Sequence, residues 1–193
     1  MIPVIALIGR PNVGKSTLFN VLTRTRDAIV ASEPGLTRDR QYGIGKRGAK
    51  KFIVVDTGGL SGKKQSLDDL MARQTLLAIE EADEVLLMVD ARDGISSSDD
   101  MIANLVRKSG KSTSIVINKV DGIDPVQARA DFSALGFPRV YPVSAVHSKG
   151  ISSMLDAVMH QYAEDQPDHD FDQGPTVAVI GRPNVGKSTL INR

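Results

Sequence analysis

The stretch from Pro3 to Leu18, PVIALIGRPNVGKSTL, returns almost letter for letter 172 residues later, from Pro175 to Leu190, as PTVAVIGRPNVGKSTL. That offset far exceeds the period of a solenoid repeat and matches one whole domain plus a linker, so the expectation is tandem copies of a single domain. Three segments follow: a first domain over 1–162, a linker over 163–174, and over 175–193 the start of a second copy, limited to one strand, one loop and a turn of helix. So short a piece cannot bury a core alone and is expected to fray or to borrow contacts. The linker carries five acids and no Lys or Arg, the pattern of a solvated, self-repelling spacer, with a functional acidic tail as the alternative.

At 193 residues there is room for one well-cored domain. Cysteine is absent, which excludes disulfides, thiolate catalysis and cysteine-bound zinc and fits a reducing compartment, so a cytoplasmic location is expected. The N-terminal apolar run is short and lacks a basic leader, so no signal peptide is expected, and no stretch approaches the ~20 apolar residues of a membrane helix. The net charge of +1 conceals an asymmetry: residues 1–64 hold 12 Lys or Arg against 4 Asp or Glu, and the remainder 12 against 19.

Short β-branched runs at 4–8, 52–55, 84–89, 114–117 and 139–142 alternate with helical patterns near 15–23, 67–81, 98–108, 125–134 and 150–162. Such alternation predicts an α/β fold with a mostly parallel sheet covered on both faces. One interruption, between Gln41 and Lys51, places a turn at Lys46–Lys50 between two strand-like pieces. It predicts a hairpin and hence one antiparallel edge strand. In such sheets ligands bind beyond the carboxyl ends of the strands.

The chemistry-bearing motifs fall at those ends. Gly9-Arg10-Pro11-Asn12-Val13-Gly14-Lys15-Ser16, followed by Thr17, fits G-x-x-x-x-G-K-[ST] between an apolar strand and a helix. The glycines let backbone N–H groups wrap phosphates at a helix N-terminus, Lys15 would neutralise β- and γ-phosphate oxygens, and Ser16 would ligate Mg2+. The repeat carries the same elements at Gly181, Asn184, Gly186, Lys187, Ser188 and Thr189. Asp56-Thr57-Gly58-Gly59 closes the second strand-like run. Asp56 would support the magnesium shell and Gly59 would offer an N–H to the γ-phosphate, although a strand-ending aspartate alone is as readily a turn or cap residue. Asn118-Lys119-Val120-Asp121 follows the fourth. Guanine presents a ring N–H and an exocyclic amine side by side, which one Asp121 carboxylate can accept together, and adenine presents no such pair. Lys119 would lay its stem over the base, and Asn118 would brace the loops.

Taken in order with Thr37 and Ser144-Ala145, these motifs resemble the translation-factor branch of the Ras-like P-loop GTPases over residues 3–162. The doubled Gly-Arg-Pro-Asn-Val-Gly-Lys-Ser loop resembles the double-Era-like GTPases of bacterial large-subunit assembly; the single loop would also suit Era or the tRNA-modification GTPases of the MnmE type. The resemblance implies a Ras-like three-layer sandwich, GTP and GDP as ligands, and the 50S ribosomal subunit or its rRNA as partner of the full-length protein. It also implies that Thr37 closes onto Mg2+ and that the Ala145 backbone N–H meets the guanine oxygen. The fragment itself is expected to be a monomer that binds no membrane.

In Ras-like switches a glutamine directly after Asp-x-x-Gly orients the attacking water. Here that position is Leu60, which can neither donate nor accept. Related GTPases with this replacement use K+ beside the phosphates, which makes Asn12 the candidate K+ ligand, with a plain loop hydrogen bond as the alternative. Lys15, Asn12, Thr37 and Gly59 form the candidate catalytic group. Residues 23–41 and 57–75 flank the γ-phosphate position and are expected to order with GTP and loosen with GDP. Basic residues crowd these segments and the hairpin (Arg24, Arg26, Arg38, Arg40, Lys46, Arg47, Lys50, Lys51, Lys63, Lys64) and form either an RNA-facing surface or ordinary solvated charge. His147, His160 and His169 lack metal-ligand spacing. Two rival readings accompany the hydrolysing switch: a nucleotide-gated binding module with negligible hydrolysis, and a P-loop ATPase, which Asp121 opposes.

Overall fold

The computed structural model describes residues 2–24, 41–45, 50–57 and 75–162. Among these, β1 (Val4–Ile8), β2 (Gln41–Ile44), β3 (Ile53–Asp56), β4 (Glu84–Asp90), β5 (Ser112–Asn118) and β6 (Val140–Pro142) form one sheet of order β2-β3-β1-β4-β5-β6. All pairings are parallel except β2 with β3, where Tyr42 faces Val55 across an antiparallel ladder. The expected hairpin edge is therefore present, and Gly45 N–H donates to Phe52 O at 2.7 Å as the strands diverge. The turn residues 46–49 lie outside the described set.

The helices are α1 (Lys15–Thr23), α2 (residues 75–81), α3 (Ser97–Ser109), α4 (Pro125–Asp131) and α5 (Ile151–Met159). Strand periodicity sorts them onto two faces, because successive side chains of one strand point opposite ways. Ile5 and Leu7 of β1 and Leu86 and Met88 of β4 pack with Leu18, Phe19 and Leu22 of α1 and Met154, Leu155 and Val158 of α5. Their neighbours Ala6, Ile8 and Val85 face Ala78 and Ile79 of α2 and Val106 of α3. Leu87, Val89, Ile115 and Ile117 cover Ala103 of α3 and Ala128 and Phe132 beside α4. Central strands buried on both faces need near-continuous apolar runs, which VIALI and EVLLMVD supply.

The differences from the sequence reading lie at element ends. The predicted 125–134 helix is α4 followed by a 3-10 turn at Ser133–Leu135, and the predicted 150–162 helix is α5 followed by another at His160–Tyr162. β5 begins at Ser112 rather than Ser114. Its polar start is stabilised by a neighbour in space: Glu84, paired with Ser112 in the sheet, accepts a 2.9 Å hydrogen bond from Ser114 Oγ.

Candidate functional site

Four parallel strands deliver the site. β1 ends at Ile8, and its neighbours end in buried polar residues: Asp56 on β3, Asp90 on β4 and Asn118 on β5, which are 0%, 3% and 2% exposed. Three desolvated polar side chains at one edge of an apolar sheet are costly unless each has partners, and here each has.

The loop from Gly9 to Gly14 leaves β1 and enters α1. Helices α3 and α4 open on side-chain caps: Ser96 with Asp99 forms a capping box, and Asp124 accepts from Val126 N–H at 2.9 Å ahead of Pro125. By contrast α1 opens on Gly14, in a left-handed conformation (φ 100°), with no side-chain cap. The first N–H groups of α1 are thus left for another acceptor, and an anion suits them. Gly14 cannot be replaced cheaply, since a Cβ there would collide with Asn118 Nδ2.

Lys15 is buried, and its Nζ donates to Gly9 O at 2.7 Å and Arg10 O at 2.9 Å, curling the loop around the ammonium. Burial pushes its pKa below the ordinary lysine value, with the Asp56 charge opposing. Ser16 Oγ donates to Asp56 Oδ2 at 2.8 Å, and Thr57 Oγ1 donates to Leu7 O at 3.0 Å. Pro11 and Thr17 are exposed and Val13 is buried beneath the loop.

The Ser16–Asp56 pair fits a magnesium ion. Mg2+ takes hard oxygen donors and is held through one or two protein groups plus substrate phosphates rather than by an all-protein cage. No cluster of three or more His, Cys, Asp or Glu able to hold a metal occurs among the described residues.

Asn118 joins the loop to the region beyond β5. Its Nδ2 donates to Val13 O at 2.8 Å, and its Oδ1 accepts from Ala145 N–H at 2.9 Å. Lys119, at φ 65°, donates from Nζ to Asn12 O at 2.8 Å and pairs with Asp90 Oδ2 at 2.5 Å. Val120 N–H reaches Val143 O at 3.4 Å. Asp121 accepts from Ser144 Oγ at 3.0 Å, and its other oxygen lies 3.7 Å from His147 Nε2. The sequence-predicted residues from Gly9 to Thr17, Asp56, Thr57, Asn118 to Asp121, Ser144 and Ala145 are thus brought to one edge of the sheet. The Ala145 N–H, expected to face a base oxygen, here donates to Asn118, the side chain that also braces the loops. Thr37, Gly58, Gly59, Leu60 and the second loop (Gly181, Asn184, Gly186, Lys187, Ser188, Thr189) lie outside the described residues, as do the linker, residues 25–40 and 58–74 of the nucleotide-responsive segments, His169, and Arg26, Arg38, Arg40, Lys46, Arg47, Lys63 and Lys64 of the basic group.

Sequence reasoning missed the acidic partners. Asp90 accepts from Arg92 N–H at 3.0 Å as well as from Lys119. Burial alone would raise its pKa, and the Lys119 hydrogen bond, the Arg92 N–H and the charges of Lys119 and Arg10 outweigh it, holding the carboxyl below its ordinary value. Arg10 meets Asp93 at 2.8 Å and Asp99 at 3.3 Å. A usable signal was present: Asp90 ends a buried strand as Asp56 does. His147, which lacks metal-ligand spacing in the sequence, is a neighbour of Asp121.

A family profile described as 50S ribosome-binding GTPase matches residues 4–119 and 176–193. The chain belongs to the 50S ribosome-binding GTPase family. Curated relatives named GTPase Der include those of Marinomonas sp. (strain MWYL1), 57% identical, and Marinobacter nauticus, 56% identical; both alignments take in 100% of this chain but 44% and 41% of those proteins. The chain therefore spans less than half the length of these relatives. Among solved structures, an Aquifex aeolicus Era variant bound to GDP and aluminium fluoride is similar at 30% identity and a TM-score of 0.70, covering 86% of this chain and 58% of that one. An Era complex with MgGDPNP and a segment of 16S ribosomal RNA scores 0.69, also at 30% identity with 86% and 58% coverage. The Thermotoga-type FeoB G domain (T. maritima) scores 0.62 at 27% identity, covering 85% of this chain and all of that one. The Ras-like P-loop architecture expected from the motifs is the observed one.

Proposed function

We propose that this chain binds GTP and GDP and hydrolyses GTP slowly, as a switch domain of a protein that acts in large ribosomal subunit assembly in the cytoplasm. The observation that carries the nucleotide reading is Asn118, whose one amide ties the phosphate-type loop at Val13 to the Ala145 turn beside Asp121. A single ligand with an anionic tail and a purine head fits that span, with Lys15 and the open start of α1 at the tail and Asp121 at the head. Lys119, whose Nζ is held by both Asn12 O and Asp90, would lay its stem over the base. Ser16, Asp56 and Thr37 would hold Mg2+, which when bound neutralises phosphate charge. The decisive measurement is competition between guanine and adenine nucleotides for the purified chain. A preference for guanine, moved toward xanthosine nucleotides by Asp121→Asn, is expected; equal binding of both purines would refute the assignment.

For hydrolysis, Asn12 is the proposed K+ ligand. It is exposed and sits in the left-handed region (φ 66°), with a plain loop hydrogen bond as the alternative. A cation there would provide the charge stabilisation an arginine finger provides elsewhere. GTP turnover should be faster in KCl than in NaCl, at roughly 10⁻⁴ to 10⁻² per second without an activator; identical rates would remove the cation from the scheme. Single-turnover hydrolysis also separates this reading from a binding module that does not turn over, which Leu60 in place of glutamine favours. The ribosomal assignment draws on the family description and on the Era complex with ribosomal RNA. The repeated motif at 175–193 is proposed as the start of a second such domain, joined through the acidic linker.

A further inference from the structure

Two cations reach from the two halves of the site into one short acidic segment. Lys119, of the base-side motif, pairs with Asp90; Arg10, of the phosphate-side loop, donates from Nη2 to Asp93 Oδ2 at 2.8 Å and lies 3.3 Å from Asp99 Oδ2. The three acids lie at the end of β4, in the connection that follows and in the first turn of α3. Two features set Arg10 apart from an ordinary surface ion pair. It is mostly covered, with its side chain 20% exposed, and Asp99 is fully buried. Moreover, Arg10 Nε and Asp99 Oδ1 are each buried without a hydrogen-bond partner among the described residues. Asp99 Oδ2 is occupied by the capping box, accepting from Ser96 N–H at 3.0 Å and Ser96 Oγ at 2.7 Å. Its second oxygen faces no partner. Native interiors rarely leave such a donor and acceptor side by side and unmatched, because each forfeits its hydration without replacement. An arginine fork can match them by a small shift of one side chain.

We propose that Arg10 is a positioning residue: seated on Asp93 and Asp99, it holds the phosphate loop against the β4–α3 segment in the conformation that receives the β-phosphate, and so sets affinity for nucleoside di- and triphosphates. The mechanical link is short. The Arg10 backbone carbonyl is one of the two that accept from Lys15 Nζ, so displacing residue 10 displaces an oxygen that places the ammonium. Its neighbour Gly9 tolerates no compensating shift toward β4, since even a Cβ there would collide with Met88 O. The loop can therefore relax only away from β4.

This inference rests on the nucleotide reading above, and its test is arranged so that the two fail differently. Affinities for GDP and GMP are measured on the 193-residue chain by competition against a fluorescent GDP analogue, together with the thermal midpoint of the nucleotide-free protein. Arg10→Ala should weaken GDP about tenfold, the order expected for losing charge-assisted hydrogen bonds. GMP, which lacks the β-phosphate, should move far less. Arg10→Lys, keeping one charge but not the fork, should fall between. Asp93 is 56% exposed, so Asp93→Asn should leave the thermal midpoint unchanged and weaken GDP about threefold. Asp99 is left intact because it also caps α3. The double variant should bind GDP no worse than Arg10→Ala, since Asp93 acts through Arg10. Unchanged GDP affinity in Arg10→Ala or Asp93→Asn overturns the proposal, as do parallel losses for GDP and GMP or single losses that multiply. If the wild-type chain binds no guanine nucleotide, the site assignment itself falls instead.

Discussion

At the residue scale, the site is built from charges that burial would expel were they not matched. Lys15 is the extreme case, an ammonium held by two carbonyls and the nearby Asp56, with a pKa pushed down by burial. Its folded pKa lies below the unfolded value, so the unfolded state binds more protons at alkaline pH, and nucleotide-free stability should rise with pH from the lowered folded pKa up to the ordinary lysine value. Phosphate oxygens favour the protonated form, so saturating GDP should flatten that slope. Denaturant unfolding across the alkaline range, with and without GDP, checks both statements; a slope unaffected by GDP would separate Lys15 from the phosphates. That Lys15, Asp56, Asn118 and Asp121 gather at one edge of the sheet was legible from the motifs taken together in order, since Asp56 alone reads equally as a turn or cap residue. Asp93 and Asp99 were not legible. Nothing local distinguishes them from surface acids, and Arg10 reaches them from 83 and 89 positions away.

At the element scale, β2 is the part of the sheet most open to disruption. It lies at the edge, and it approaches α1 so closely that a Cβ on Gly43 would stand 2.5 Å from Thr23 Cγ2 and 2.7 Å from Phe19 Cζ. Phe19 is fully buried and cannot swing clear. Gly43→Ala should therefore destabilise the protein by about 1–3 kcal/mol through overpacking, read as a lower urea midpoint. A midpoint equal to wild type would mean that β2 slides outward at little cost. Elements were legible where periodicity was strong. β1 is apolar throughout, β4 is apolar between Glu84 and Asp90, and α3 carries its own capping signals; their boundaries agree within a residue or two with the sequence reading. The ends of α4 and α5 were not, since a 3-10 turn and an α-helical turn use the same residues and packing decides between them.

At the scale of the whole molecule, the two ends of the sheet do different work. The carboxyl end holds the candidate site; the amino end holds a closed polar cluster in which buried Glu84 accepts from Arg139, Ser114 and Gln161, while Arg139 also reaches Ser112 at 2.6 Å. Tyr162 Oη donates to Asp83 O at 3.1 Å, and Lys50 Nζ to Tyr162 O at 3.1 Å, so the last described turn is tied to the β4 entry. Arg139→Ala would strand a buried carboxylate at a cost of about 3–5 kcal/mol. Guanine nucleotide affinity should persist, because six residue steps along β4 from Glu84 to Asp90 put the cluster about 20 Å away. Urea unfolding and nucleotide titration of this variant test the separation, and a large loss of affinity with little loss of stability would contradict it. No helix among the described residues is long and apolar enough to cross a membrane. What the sequence determined by itself was local and periodic: the strand-loop-helix unit, the alternation that makes a doubly covered sheet, the antiparallel edge, and the residues whose chemistry suits phosphate and base. What only the tertiary structure decided was pairing across long separations, namely Arg10 with Asp93 and Asp99, Lys119 with Asp90, and Glu84 with Arg139. Side-chain charge has no periodicity, and an ion pair in a folded interior depends on distance and burial, which exist only once the chain has closed on itself.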